Sequence, residues 1–201
     1  VVPPSAKLSP PRAPDKNVIQ GHLDILKESN PDLWIAVFLG STMGLRRSEI
    51  AGLRWSHIDL VSKTLEVCEG IVKIPGHGSI TTGTKTGLHG YARFDMHQTT
   101  FDVLVSRYSE FGQRLLAFGN REQSDGYLFS SDLLCERPID PDLLTKWLRK
   151  HCANHPEIEP ITFQSLRKFT SSALEGGGVD ETTASALLRD HPGTVSRHYR
   201  A

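Results

Sequence analysis

Tyr199 is preceded along the chain by residues of a telling kind. Arg46 lies in Gly44-Leu45-Arg46-Arg47-Ser48-Glu49, and Lys85 in Thr84-Lys85-Thr86-Gly87. Gln164 and Arg167 share Gln164-Ser165-Leu166-Arg167, and His191 falls eight residues before the tyrosine. A phosphodiester resists nucleophiles because its anionic oxygens repel them, so a catalyst must neutralise the charge that grows on pentacoordinate phosphorus. Guanidinium suits this task, being permanently charged and shaped as a fork for two oxygens. A lysine is a movable point charge that can protonate a leaving alkoxide. A phenol, with a pKa of about 10, becomes a nucleophile where neighbouring cations lower the cost of ionising it. Histidine can hydrogen-bond the phosphate or shuttle a proton, and glutamine can donate and accept hydrogen bonds. Two arginines, a lysine, a histidine and a late tyrosine are the parts needed to cut a phosphodiester without a metal.

Each residue alone has an ordinary structural use: a surface arginine, a solvated turn lysine, a polar helix face, an aromatic staple. Their combination and order carry the information. Gly78 and Gly83 come close to a phosphate-binding P-loop, but Thr84 separates Gly83 from Lys85 and no helix follows, so that motif is rejected. His151, Cys152 and His155 have the spacing of a two-ligand metal site. No third ligand follows at a recognisable interval, and no acidic cluster resembles a two-metal nuclease, so neither metal nor other cofactor is expected.

The elements that must position these residues are mostly helical. Helices are expected over 17–29 and 32–39, the second with Pro31 at its start and ended by Gly40 to Gly44. Ser48 is expected to cap the next, with Glu49 in its first turn, leaving Arg46 on a turn between helices. Residues 58–97 change character. Leu65-Glu66-Val67, Ile71 to Ile74, Ser79 to Thr82 and Tyr91 to Met96 are β-prone runs punctuated by glycine, expected to form one small antiparallel sheet with Lys85 between its last two strands. Helix resumes after Thr99 or Thr100, with Phe101, Leu104, Val105, Tyr108 and Leu115 on one apolar stripe. Asp140, Thr162 and Asp180 are expected to cap three further helices. Gly176-Gly177-Gly178 ends the second of these, and Pro192 breaks the third before a last short helix bearing Tyr199. Gln164 and Arg167, at i and i+3, share a face, beside a buried side set by Leu166, Thr170 and Ala173. The fold class is mainly α with a small antiparallel β-sheet.

The chain has 201 residues, 38% apolar and 23% charged, enough for one domain with a substantial core. No run approaches a membrane span and no secretory signal opens the chain. Three cysteines, odd in number and far apart, point to reduced thiols and a cytoplasmic setting rather than a disulfide framework. Twenty-three basic residues balance 23 acidic ones. Distribution matters more than the sum for nucleic-acid binding: Arg46, Arg47 and Arg54 cluster in one segment, and Arg189, Arg197 and Arg200 at the end. Five of the twelve prolines fall in the first 15 residues, which suggests a linker over 1–16 leading from a preceding DNA-binding domain into a catalytic domain over 17–201.

The stretch Gly44-Leu45-Arg46-Arg47-Ser48-Glu49-Ile50-Ala51-Gly52-Leu53-Arg54-Trp55 resembles the first catalytic box of the tyrosine recombinases, the phage-integrase family. The hairpin lysine, the Gln164-to-Arg167 box and the His-to-Tyr tail follow in that family's order, so the resemblance covers essentially 17–201. Gln164 stands where the family usually has histidine and Asp190 where it usually has glycine. The gap from His191 to Tyr199 is one residue shorter than the commonest. The resemblance implies a mainly helical catalytic domain with a three-stranded sheet. It implies a site-specific recombinase or integrase acting on double-stranded DNA through a 3′-phosphotyrosine, in a bacterial or phage-infected cell, as a homotetramer on DNA and a monomer otherwise. Arg46, Lys85, Gln164, Arg167, His191 and Tyr199 would be catalytic, with Arg47, Arg54 and Arg197 as DNA contacts. Alternatives are a type IB topoisomerase-like DNA relaxer, which shares the chemistry, and an inactive DNA-binding homologue acting as a regulator.

Overall fold

Helix starts in this chain are set by local side chains. The computed structural model describes residues 12–74, 76, 78–83, 91–119 and 125–190. Asp15 accepts from the Asn17 N–H and opens α1, Lys16–Ser29. Asn30 then serves two helices: its N–H closes α1 on the Leu26 carbonyl, and its side chain caps α2, Pro31–Thr42, at the Leu33 N–H. Pro31 at the first helical position lacks the N–H that would go unsatisfied there. α2 is apolar on all sides and buries every residue from Ile35 to Ser41, which makes it the central helix, packed by α1 and α6. It runs past Gly40 to Thr42, because burial on both flanks outweighs the low helix propensity of one glycine.

α3 is short, Arg47–Gly52. Its N-cap is Arg46, two residues before the expected Ser48. Glu49 reaches back to accept the Arg46 backbone N–H at 2.8 Å, the N3 half of a capping box. Gly52 has to be small, since a Cβ there would lie 3.0 Å from the Glu69 carbonyl oxygen. That close approach lets the following sheet region pack on α3.

The β region forms two sheets among the described residues, not one. β1 (Ile58–Asp59), β2 (Thr64–Val67) and β5 (Ala92–Asp95) make an antiparallel sheet of order β1-β2-β5, with Leu65 opposite Phe94. β3 (Glu69–Ile74) and β4 (Gly78–Gly83) pair only with each other, Ile71 opposite Thr81. A single residue, Cys68, separates β2 from β3. Gly70 and Ile71 are buried against α3, while Val72, Lys73 and Ile74 are exposed, so the outer half of the hairpin leaves the core.

α4 (Gln98–Ala117) buries Leu104, Phe111 and Leu115, at helical spacing. Val105, one position round from Leu104, is 38% exposed and leaves the expected stripe. α5 (Pro141–Asn154), α6 (Phe163–Gly176) and α7 (Glu181–Leu187) begin where Asp140, Thr162 and Asp180 were expected to cap them. Ala173 of α6 is exposed, unlike Leu166 and Thr170, so the expected buried side ends at Thr170. No helix among the described residues is long and apolar enough to cross a membrane.

Candidate functional site: two arginines on one anionic centre

The chain reverses between α2 and α3 at Gly44, whose φ of +61° favours glycine. A Cβ there would also fall 2.5 Å from the Leu188 side chain. This turn brings the start of α3 against the end of α7, and α6 lies behind both. The Gly44 carbonyl accepts from Arg167 Nη1 at 2.6 Å and from Arg189 Nη2 at 3.3 Å. Arg167 Nη2 also donates to the Leu188 carbonyl. Arg167 is thus held by two backbone carbonyls from opposite ends of the sequence, with a side chain only 5% exposed.

Arg46 projects from the N-cap of α3. Its Nη1 bonds Glu49 Oε1 at 2.6 Å, and its Nη2 donates to the Arg189 carbonyl at 2.8 Å and to Asp190 Oδ1 at 2.7 Å. Asp190 Oδ2 lies 2.8 Å from Arg167 Nη2. The two arginines, 121 positions apart in the sequence, therefore meet at one carboxylate. Arg46 is the accessible member, its side chain 30% exposed.

Glu49 and Arg189 complete the cluster. Arg189 is fully buried, has a φ of +54°, and donates from Nε and Nη2 to Glu49 at 3.2 and 2.7 Å. Three guanidiniums against two carboxylates leave one positive charge. Burial raises the cost of ionising Glu49, but Arg189 and Arg46 outweigh it and hold the carboxyl below the ordinary range. Burial likewise works against the charge of Arg46, yet Glu49 and Asp190 together raise its pKa. Arg189 moves the other way: burial, reinforced by Arg167 and Arg46, lowers it against the pull of Glu49. Glu49 is the main residue whose role the sequence reading missed. Its spacing of three from Arg46, the N3 position of a capping box, is the signal that would have found it.

Gln164 lies on α6 with its side chain exposed, one turn before the buried Arg167. Arg47 is exposed and reaches α5, bonding Thr145 at 2.8 Å and Asp142 at 2.9 Å. Arg54 sits 3.9 Å over the Tyr127 ring, pairs with Glu69 at 2.8 Å and donates to the Asp125 carbonyl at 3.1 Å. Both of these expected DNA contacts are engaged with the chain itself. Lys85, in the connection from β4 to β5, and His191, Arg197 and Tyr199 lie outside the described residues.

A second polar cluster lies between α1 and α5. His22 Nε2 donates to the Glu159 carbonyl at 3.0 Å, while its Nδ1 meets His151 Nε2 at 3.0 Å. The His155 ring stands 4.8 Å from that of His151. Burial, with repulsion from the two neighbouring rings, pushes His151 down to about 4. Among the described residues, no group of three or more His, Cys, Asp or Glu side chains could hold a metal ion.

The fold is that of the tyrosine recombinase catalytic domain. The Tn1549 transposon integrase in complex with transposon right end DNA has the same architecture at a TM-score of 0.73 and 16% identity, over 98% of this chain and 63% of that one. XerA recombinase gives a TM-score of 0.69 at 16% identity, over 96% and 61%. A lambda integrase tetramer bound to a Holliday junction gives 0.56 at 15%, over 98% and 50%. The chain thus spans less than two thirds of these proteins' lengths. No protein-family profile and no curated protein matches the sequence.

Proposed function

We propose that the protein is a site-specific DNA recombinase or integrase that cuts and rejoins double-stranded DNA through a 3′-phosphotyrosine, without metal or ATP. The observation that carries this reading is the convergence of Arg46 and Arg167 on a single anionic centre. Two guanidiniums fixed around one acceptor site are what a phosphodiester needs as charge builds on its equatorial oxygens. Their backbone and Glu49 anchors fix them in advance, so little reorganisation is left for the reaction itself. The Tn1549 and lambda integrase structures, with DNA bound, support DNA as the partner.

In this mechanism Tyr199 gives up its phenol proton to solvent, and the resulting oxyanion forms a bond to phosphorus as the bond to the 5′-oxygen breaks. The leaving oxygen takes a proton from Lys85. Arg46 and Arg167 hold the non-bridging oxygens, with Gln164 and His191 hydrogen-bonding the same phosphate. A 5′-hydroxyl from a partner strand then reverses the step, the bond energy having been kept in the phosphotyrosine. Arg47, Arg54 and Arg197 would lie against the DNA backbone, and the working unit would be a tetramer on DNA.

A DNA duplex nicked near the cleavage point tests this directly, because loss of the short 5′-fragment prevents resealing. Wild-type protein is expected to form a covalent protein–DNA adduct, visible on a denaturing gel, and Tyr199→Phe none. Failure of wild type on every candidate site, with DNA binding intact, would favour the inactive regulator instead.

A further inference from the structure

We propose that Asp190 is an internal stand-in for the substrate phosphate: its carboxylate fills the oxyanion site between Arg46 and Arg167 and must be displaced before a phosphodiester binds there. This rests on the reading of those arginines as phosphate ligands. Asp190 Oδ1 is 2.7 Å from Arg46 Nη2 and Oδ2 is 2.8 Å from Arg167 Nη2. A carboxylate and the two non-bridging oxygens of a phosphodiester offer guanidinium the same pair of acceptors. They therefore compete for one place.

Three features make the carboxylate a removable occupant rather than the support of the site. Arg46 keeps Glu49 and the Arg189 carbonyl without it, and Arg167 keeps the Gly44 and Leu188 carbonyls. Asp190 Oδ2 is buried and meets Arg167 Nη2 at 2.8 Å as an ion pair without a hydrogen bond. Binding is also exclusive by charge. The cluster carries one net positive charge with Asp190 in place. A phosphodiester monoanion replacing the carboxylate leaves that balance unchanged, whereas both anions together would neutralise it and repel each other at close range. The consequence is selectivity. A free anion gains too little to evict a tethered carboxylate, while a phosphate delivered by many contacts along a duplex can do so.

The test uses the full chain and Asp190→Asn, which keeps shape and removes charge. Inorganic phosphate is titrated at constant ionic strength, and stabilisation is read as the shift in melting temperature. The Asn variant is expected to reach a given shift in melting temperature at about tenfold lower phosphate than wild type. Asp190→Glu, which keeps the charge, should stay near wild type, and Arg46→Gln placed on Asp190→Asn should remove the gain. An Asp190→Asn response equal to or weaker than wild type overturns the inference. Asp190→Ser replaces the Asn variant should circular dichroism show the latter unfolded. Adduct formation on nicked DNA separates this inference from the one beneath it. Adduct from wild type with no gain in phosphate affinity in Asp190→Asn sinks the stand-in and leaves the recombinase. A gain in phosphate affinity with no wild-type adduct at any site supports the stand-in and sinks the recombinase.

Discussion

Two buried polar clusters in this molecule solve the same problem in opposite ways. Around Glu49, permanently charged guanidiniums are buried because carboxylates and backbone carbonyls surround them. Around His22 and His151, two imidazole rings are buried by passing hydrogen bonds to one another and to a carbonyl, and burial holds His151 toward its neutral form. The first arrangement stores an electric field and the second avoids one. A site meant to meet an anion needs the first; the second serves to join α1 to α5.

The sharpest break of this contrast is Glu49→Gln. It leaves Arg189 fully buried without its carboxylate partner, and removing one member of a buried pair costs about 3–5 kcal/mol. Urea unfolding should show that loss, and a cost below about 1 kcal/mol would mean that the backbone carbonyls alone suffice for Arg189. Arg167→Ala ranks next and acts on chemistry. Adduct formation on a nicked duplex should fall by about 10²–10³-fold, in line with loss of one preorganised charge-stabilising donor, while DNA affinity by gel shift changes little. Equal collapse of affinity and cleavage would make Arg167 an affinity contact or a purely structural residue.

The smallest effect concerns pH. His151 has its folded pKa depressed to about 4 from 6.5. The unfolded chain therefore takes up a proton below about pH 6.5 that the folded chain refuses until near pH 4. The stabilisation is fully present above the unfolded value and is lost between those limits. It amounts to about 1–2 kcal/mol after allowance for residual solvation. Glu49 is depressed too, but its contribution begins to fall only below the unfolded carboxylate value of 4.5. Acid should thus loosen the histidine cluster first. Melting temperature against pH should show a decline from pH 6.5 that His151→Gln flattens; an unchanged slope in that variant would place the titration elsewhere.

Legibility in the sequence followed the range of the forces. Asp140 with Pro141, Thr162 and Asp180 announced α5, α6 and α7 because a cap is a bond between residues two or three apart. The start of α3 was misplaced at Ser48 because the acceptor for the cap came from Glu49, a side chain inside the helix. The β runs were visible, but their pairing was not: β2 skips β3 and β4 to join β5, and propensity says nothing about partners. Arg46 and Arg167 were legible as residue types in an order, whereas their meeting at Asp190 depends on the Gly44 reversal and the end of α7. The pairing of Arg189 with Glu49 went unread because a buried ion pair spanning 140 residues leaves no local periodicity, and Glu49 left only its spacing of three from Arg46.

Cys68 has a wider meaning than its size suggests. The strand ladder that the chain leaves at Val67 is rejoined at Ala92, so the β3–β4 hairpin is an excursion that the ladder does not measure. Added or deleted length at the far end of that excursion changes no register among 58–67 and 92–95. Such a module can be lengthened, shortened or re-equipped in descendants of this chain while the scaffold that orders Arg46 and Arg167 is inherited intact.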